Sequence, residues 1–176
     1  MRSVGYNATG VKEILDEADV PKGSFYHHFP SKEAFAQEVV KLYVHGEVER
    51  CDRILTETTA PLRRLRKYFE DLIRVYGPKA PVSGCLLGNF SLEMADHSDP
   101  IQSLLQESFA NWQTAIAAVL REATERGDLP KTTRPNELAA FLLNSYEGAL
   151  LRSKADRSNE ALEHFLYFTF GALLKG

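Results

Sequence analysis

One segment near the amino terminus limits the possible folds of this chain more than any other. Residues 9–35 read TGVKEILDEADVPKGSFYHHFPSKEAF, and their spacing predicts two short helices and the start of a third. Pro21 cannot continue the first helix, but its fixed φ suits the opening of the second. Pro30 ends the second helix, and Ser31 is a favourable N-cap for the third. The pattern therefore predicts a helix–turn–helix unit.

The second helix of this unit is predicted to have two different faces. Phe25 and Phe29 lie one turn apart on its apolar face, and Gly23 and His27 lie roughly opposite them. Such a helix can pack on a core while its far flank enters a DNA groove. From the spacing alone, an ordinary helical hairpin with a solvated polar flank is an equally open alternative. Thr9 is placed where its hydroxyl can cap the first helix.

The far flank carries groups that suit a phosphate backbone. Lys22 and Lys32 can pair with phosphates, and nearby hydroxyl and imidazole groups can donate hydrogen bonds to phosphate oxygens. Gly23 has no side chain, so a backbone or base edge can approach closely there. The candidate DNA-binding residues are Thr9, Lys22, Gly23, Ser24, Tyr26, His27, His28 and Lys32.

Residues 5–35 resemble the DNA-binding region of TetR-family transcriptional repressors. That family has a Gly–aromatic pair, a threonine, a first helix ending in Ala-x-Val, a Gly-containing recognition helix ending in Tyr-x-His-Phe, and a Ser-Lys-Glu sequence. The matching residues are Gly5, Tyr6, Thr9, Ala18, Val20, Gly23, Tyr26, His28, Phe29, Ser31, Lys32 and Glu33. The resemblance implies a TetR-like all-α repressor, and it implies DNA contact by the eight candidate residues.

Two features depart from the family pattern. Asp19 stands where the family usually has glycine, in the turn between the two helices. Only four residues precede Gly5, whereas family members usually carry a further amphipathic helix before this point. Because such a helix would cover the faces of Leu15 and Phe25, we expect weak operator binding or mobile amino-terminal helices. Either the chain is truncated relative to its parent, or it manages without that helix. If it is truncated, restoring about 15 to 25 upstream codons is expected to raise the DNA affinity.

The rest of the chain predicts helices throughout, and no stretch alternates like a half-buried strand. We therefore predict an all-α fold with a helix–turn–helix DNA-binding domain at 1–45 and a helical effector-binding and dimerisation domain at 46–176. The helices predicted beyond the second span about residues 32–56, 61–76, 83–95, 100–127, 135–153 and 159–174.

The composition says more about the cellular compartment of the protein than about its function. The net charge is −3, and residues 1–45 hold five Lys and Arg against six Asp and Glu, so any DNA-facing surface must arise from local placement. Two cysteines without a pattern argue against a disulfide scaffold and favour a reducing cytoplasm. The sequence shows no signal peptide and no apolar run of the roughly 18 residues that a membrane span needs.

The last predicted helix is apolar in nearly every direction around its axis. Residues 161–174 read ALEHFLYFTFGALL, so this helix is buried on more than one side. It is either enclosed within one chain or part of an interface between symmetry mates, and we favour the interface. The family resemblance also implies a homodimer through the last two helices. A dimer would set two recognition helices about 34–36 Å, or a multiple, apart.

The middle helices are predicted to hold a small-molecule effector in an apolar cavity with a few polar groups. Cys85 lies near a helix N-terminus, where the dipole would lower its thiol pKa, and its SGCL segment is similar to one in family members that respond to N-ethylmaleimide, electrophiles or oxidants. The alternative is a small buried residue between two glycines, and Cys51 lies on a polar connector. The candidate effector-binding or sensing residues are Cys85, Asn89, Glu93, Tyr68, Phe109, Trp112, Asn144 and Tyr146.

Two other functional classes compete with this interpretation. No histidine forms an HExxH motif or a Cys–His cluster, so the sequence predicts no metal, cofactor or catalytic residue. Residues 96–99, Asp-His-Ser-Asp, contain the letters of a triad, but adjacent loop residues cannot face one another as a triad must. A helical protein-interaction adaptor without DNA binding is the main alternative. We predict a DNA-binding repressor that a small-molecule or electrophilic effector releases from its operator.

Overall fold

The computed structural model describes residues 1–2, 4–80 and 84–175, and the regular structure within these ranges is entirely helical. The prediction of an all-α fold is confirmed. The helices are α1 (Val11–Glu17), α2 (Phe25–His28), α3 (Lys32–Leu55), α4 (Pro61–Tyr76), α5 (Leu86–Met94), α6 (Asp99–Arg126), α7 (Pro135–Asp156) and α8 (Glu160–Phe168). A 3₁₀ turn at Lys22–Ser24 leads into α2, and a π-helical turn at Thr169–Leu173 follows α8.

Local sequence explains where several of these helices begin and end. The Ser31 hydroxyl accepts a hydrogen bond from the Ala34 amide at 3.0 Å, so the predicted N-cap of α3 is confirmed. Ser98 caps α6 in the same way, and Gly127 ends α6 with a φ of 83°. The predicted start of the 83–95 helix at Ser83 lies outside the described residues. No helix in the described ranges is both long and apolar enough to cross a bilayer.

The prediction that Thr9 caps α1 is wrong. The N-cap of α1 is Gly10, and no side chain accepts a hydrogen bond there. The Thr9 hydroxyl instead donates to the Gly5 carbonyl oxygen at 2.7 Å, and Thr9 is only 7% exposed. The hydroxyl therefore closes the turn that precedes α1, where Gly5 itself has a φ of 85°.

The turn between α1 and α2 contains a residue in the left-handed region. Asp19 has a φ of 53°, a conformation that glycine adopts without a steric penalty and that Asp tolerates less well. This conformation gives a physical reason for the glycine that the TetR pattern usually has at this position.

Replacing Asp19 by Gly is expected to stabilise the protein against urea by up to about 1 kcal/mol, because glycine relieves the left-handed strain. Ala18→Gly is the matched control, since Ala18 lies one residue earlier with a φ of −84°. That control is expected to lower the stability instead. Equal effects of the two substitutions would show that the Asp19 conformation carries no strain.

The long helix α3 joins the helix–turn–helix unit to an aromatic core. Its carboxyl-terminal half buries Ile54 and Leu55. The core is centred on Phe69, whose ring lies 5.6 Å from that of Tyr146 and 5.0 Å from that of Phe165. Because α3 is continuous, it runs through the predicted domain boundary at residues 45–46, and that boundary stays a prediction.

Polar contacts also attach the helix–turn–helix unit to α5 and to the start of α6. The Asn7 amide donates to Glu93 Oε2 at 2.8 Å, and the Ser98 hydroxyl donates to Glu33 Oε1 at 2.6 Å. Since Glu93 lies on α5 and Ser98 caps α6, a displacement of either helix would reach the amino-terminal unit.

Candidate DNA-binding surface and effector site

Helix α2 is anchored by Phe25, which is 4% exposed. The Phe25 ring lies 5.5 Å from that of Phe29 and 5.6 Å from that of Phe35, and the latter two rings lie 5.0 Å apart. The predicted apolar face is confirmed. This group of three rings fixes which flank of α2 faces the solvent.

The opposite flank of α2 is open. Tyr26 is 66% exposed, and His27 and His28 are also exposed, with their rings 5.1 Å apart. A Cβ added at Gly23 would meet none of the described atoms within 4 Å, and Ser24 is half-buried. A duplex can therefore approach this flank, as the sequence predicted, and DNA contact by these five residues stays a prediction.

The other three candidate DNA-binding residues differ from one another. The Lys22 side chain lies outside the described part of the structure. The Lys32 ammonium lies 4.2 Å from the centroid of the Tyr6 ring, a cation–π contact that holds it beside the helix–turn–helix unit. The predicted DNA contact of Thr9 is corrected, because Thr9 is buried and its hydroxyl donates a hydrogen bond to the Gly5 carbonyl oxygen. We therefore remove Thr9 from the contact set.

A cleft of about 220 Å³ lies between α5 and α7, and we call it the α5–α7 cleft. It brings together Cys85 and Asn89 from the predicted effector set, and α7 adds Glu147 and Lys154. Its apolar wall includes Leu92, Leu150 and Leu151. The cleft thus has a thiol, a carboxyl and an ammonium group around a mainly apolar space, as small-molecule sites commonly do.

Cys85 is the N-cap residue of α5 and is 4% exposed. Burial raises the pKa of its thiol well above the ordinary value, and the negative charge of Glu147 raises it further. The prediction that the helix dipole lowers this pKa is therefore wrong, because desolvation and the neighbouring carboxylate outweigh the dipole. The Tyr43 hydroxyl donates a hydrogen bond to the Cys85 sulfur at 3.6 Å.

A second cavity of about 250 Å³ lies between α3, α5 and α6, and Trp112 lines it. The Phe109 ring stacks on Trp112 at 6.4 Å, and the Tyr146 ring meets Trp112 edge-on at 6.1 Å. Cys51 also lines this cavity, and its thiol donates to the Tyr68 hydroxyl at 3.1 Å. Cys51 lies on α3 in the predicted polar connector, but its own side chain is half-buried, and burial raises its pKa to about 11.

The predicted effector residues therefore do not form one site. Cys85 and Asn89 line the α5–α7 cleft, and Trp112 lines the second cavity. Tyr68, Phe109 and Tyr146 pack beside these cavities without lining either, Glu93 binds the Asn7 amide, and Asn144 is exposed to solvent. Sequence reasoning missed Glu147. The signal that could have identified it is its position as the one acid within the apolar run FLLNSYEGALL, residues 141–151.

Helices α3 and α4 are joined by a set of side chains that we call the α3–α4 polar network. The Arg50 guanidinium binds Asp71 and also Glu47, the latter at 3.2 Å, and the Tyr76 hydroxyl donates to Glu47. Burial and this hydrogen bond raise the pKa of Tyr76 to about 12. The ring of Tyr43 lies 5.9 Å from that of Tyr76, and the Tyr43 hydroxyl donates to Cys85, so side-chain contacts connect the network to a residue that lines the α5–α7 cleft.

Helices α7 and α8 present an apolar surface to the solvent. Phe168 is 61% exposed and Phe141 57% exposed, and both line a groove of about 610 Å³ between the two helices. On the other side of α8, Leu162 and Phe165 are buried. The all-round burial predicted for this helix is therefore not reached within one chain. An exposed apolar patch of this kind marks an interaction surface.

Known protein families match both the amino-terminal and the carboxyl-terminal part of the chain. The family "Bacterial regulatory proteins, tetR family" matches residues 1–39, and the family "Tetracyclin repressor-like, C-terminal domain" matches residues 61–168. Among relatives, the HTH-type transcriptional repressor DhaR of Mycobacterium sp. (strain GP1) is 37% identical over 171 residues. The match covers 97% of this chain and 84% of that repressor.

Solved structures agree with the family matches. The regulatory protein TetR from Rhodobacter sphaeroides superimposes with a TM-score of 0.86 and 34% identity, covering 97% of this chain and 90% of that one. The reduced form of Escherichia coli NemR superimposes with a TM-score of 0.83 and 29% identity, covering 92% of this chain and 84% of that one. This chain belongs to the TetR family of transcriptional regulators.

Proposed function

We propose that this chain is a transcriptional repressor that binds operator DNA as a homodimer and is released by a small-molecule effector. The observation that carries the proposal is the open flank of α2 opposite the buried Phe25, within the residues that the tetR family matches. Relatives such as DhaR are named HTH-type transcriptional repressors. Because the adaptor alternative gives the open flank of α2 no role, we do not favour it.

The chemistry of the open flank suggests that its residues contact different parts of the DNA. We assign Lys22, Tyr26 and Lys32 to phosphates, where they would fix the orientation of the duplex. We assign Gly23 and His27, together with the neighbouring hydroxyl of Ser24 and the imidazole of His28, to the major groove and its edges.

The apolar surface of α7 and α8 supports a dimer. It offers large, exposed side chains such as Phe168 on the helices that the sequence predicted to form the interface. Two copies that pair through this surface would hold two α2 helices in fixed relation, which a two-fold symmetric operator requires.

The α5–α7 cleft is the effector site that we favour. Asn89 lines the cleft and also donates a hydrogen bond to the Arg2 carbonyl oxygen at 3.1 Å, so an occupant that moves α5 would reach the DNA-binding unit. The similar protein NemR was solved in a reduced form. We propose that the effector of this chain is an electrophile or oxidant that reacts with Cys85. To release DNA almost completely, the effector would have to bind the conformation that cannot bind DNA about 5.5 kcal/mol more tightly than the conformation that can.

Operator binding is expected to depend steeply on salt. If about six phosphates are neutralised, the affinity should fall by about 10³-fold between about 50 and about 200 mM salt. Lys32→Ala is expected to weaken binding to every duplex alike and to lower the salt slope by about one, whereas His27→Ala is expected to relax the base preference. Fluorescence anisotropy with a duplex enriched from a random pool measures both effects.

A change of preferred sequence caused by Lys32→Ala alone would contradict the assignment of roles. Binding without salt dependence would contradict the proposed function itself. A transcriptional regulator must reach the chromosome, so we also propose a cytoplasmic location. We further propose that the protein has no catalytic activity, and both statements stay predictions.

A further inference from the structure

Glu147 is a half-buried acid for which the DNA-binding function has no use. It lies on α7 and lines the α5–α7 cleft. Its Oε1 atom is buried and has no hydrogen-bond partner among the described residues. Leaving a carboxyl oxygen in this state costs free energy, so the position needs an explanation beyond packing.

The neighbour of Glu147 is the Cys85 thiol. Both side chains line the cleft, and each shifts the pKa of the other. Gly88 lies beside them, and a Cβ at that position would come within 2.9 Å of Glu147 Oε2 and 3.8 Å of the Cys85 Cβ. A glycine at this point of α5 therefore leaves room for the carboxyl group to reach the thiol.

The surroundings of Cys85 suppress its thiolate form. Burial and the adjacent carboxylate both disfavour a second negative charge, so little thiolate exists near neutral pH. The thiolate is the nucleophilic form of cysteine. A thiol in this site can therefore react efficiently only if its proton leaves as the new bond forms, to an acceptor already in contact.

We propose that Glu147 is the proton acceptor that activates Cys85 for addition to a small α,β-unsaturated carbonyl compound bound in the α5–α7 cleft. This inference rests on the proposed effector site at Cys85. The apolar wall of the cleft suits the carbon skeleton of such a compound. Lys154 lines the same cleft and offers an ammonium group to the carbonyl oxygen, where negative charge develops.

The addition balances without a further reagent. The Cys85 sulfur bonds to the β carbon of the electrophile while the thiol proton passes to the Glu147 carboxylate. The electrons of the C=C π bond move toward the carbonyl oxygen and give an enolate. The enolate then takes a proton at its α carbon, from Glu147 or from water. The product is a thioether, and no group undergoes net oxidation or reduction.

The pH dependence of this step follows from the state of Glu147. Burial raises the pKa of Glu147 to about 7, although the neighbouring Cys85 thiol acts in the opposite direction. The carboxylate that accepts the proton therefore becomes more abundant as the pH rises through about 7. Tyr43 of α3 and Tyr146 of α7 also face this region, and burial raises both pKa values well above 10, so they stay neutral. Among the described residues, the charged groups near this region include Lys154 of α7, Glu47 of α3 and Arg2, whose guanidinium lies 5.3 Å from the centroid of the Tyr76 ring.

The test is the rate at which N-ethylmaleimide, an unsaturated imide, adds to Cys85. All proteins carry Cys51→Ser, so one thiol remains, and mass spectrometry follows the adduct between about pH 5.5 and about pH 8.5. The variants are Glu147→Gln, Glu147→Asp and the control Glu137→Gln, which changes an exposed acid in the first turn of α7. Circular dichroism establishes that each variant is folded.

The parent rate is expected to rise with an inflection near pH 7. Glu147→Gln is expected to remove the inflection and slow the addition at high pH by about 100-fold, the lower end of what a positioned proton acceptor contributes. Glu147→Asp should recover part of the rate, and Glu137→Gln should match the parent. If Glu147 only repels the thiolate, Glu147→Gln will react faster, and that result would overturn the inference.

DNA affinity of the alkylated protein separates this inference from the proposed function. An adduct that forms with the expected Glu147 dependence but leaves DNA binding unchanged would remove Cys85 as the effector site. A rate that does not depend on Glu147, together with loss of DNA binding by the adduct, would keep the effector site and remove the role of Glu147.

Discussion

Phe168→Glu is expected to convert the dimer into monomers and to lower operator affinity by at least about 100-fold. The side chain is 61% exposed in one chain, on the apolar surface of α7 and α8. A charge placed there would be buried without a partner in the dimer. A monomer presents one recognition helix, so it loses the gain in effective concentration that a second, linked helix provides. Analytical ultracentrifugation and anisotropy measure the two effects.

Leu42→Glu is the matched control for the oligomeric state. Leu42 is 73% exposed on α3, away from α7 and α8, so the same change of chemistry there should leave the dimer intact. If the Phe168→Glu protein remains dimeric at the concentrations at which the parent does, the interface lies elsewhere.

Arg50→Met is expected to lower the free energy of unfolding by about 2–3 kcal/mol at neutral pH, because it leaves Glu47 and Asp71 without their shared cation. The side chains of all three residues are only 16–17% exposed, so solvent screens their interaction weakly. The expected loss of unfolding free energy is smaller than the cost of breaking a fully buried ion pair, because the three side chains keep some exposure to solvent. Urea unfolding at fixed protein concentration measures the difference.

Arg74→Met is the matched control, because Arg74 also donates to Asp71, at 2.6 Å, but is 70% exposed. It is expected to cost less than about 1 kcal/mol. Similar losses for the two variants would show that the α3–α4 polar network contributes no more than a surface ion pair.

The same variants predict a change in acid stability. Burial alone would raise the pKa of Asp71, but hydrogen bonds from Arg74 and Arg50 lower it below its ordinary value. Because the folded-state pKa lies below the unfolded one, Asp71 contributes stability above the unfolded pKa and loses it as the pH falls through the folded pKa. Arg50→Met is therefore expected to move acid unfolding to higher pH, and an unchanged midpoint would contradict the account.

The features that depend on residues close together in the chain could be predicted from the sequence. Pro21 and Pro30 separate the helices, Ser31 caps α3 through the Ala34 amide, and the spacing of Phe25 and Phe29 identifies the buried face of α2. Each of these depends on residues within one or two helical turns of one another. Their outcome is therefore fixed by neighbours in the chain.

Features that depend on distant neighbours could not be predicted in this way. The helix dipole at Cys85 is a local feature, but burial by distant helices raises the pKa of the thiol, and Glu147, 62 positions further along the chain, raises it further. Cys51 looked exposed because its neighbours are charged, yet it packs against Tyr68 of α4. Thr9 is a residue type that often caps helices, but α1 begins one residue later with Gly10 as its N-cap, and the Thr9 hydroxyl donates to the Gly5 carbonyl oxygen.

The most direct test of the central claim is selection of DNA duplexes from a random pool by the dimeric protein, repeated with His27→Ala. We expect an enriched motif with two-fold symmetry and half-sites about 34–36 Å, or a multiple, apart. We also expect that His27→Ala relaxes the motif at symmetric positions in both half-sites. A pool with no enriched motif, or the same motif at the same strength from both proteins, would contradict the assignment of the open flank of α2 to DNA.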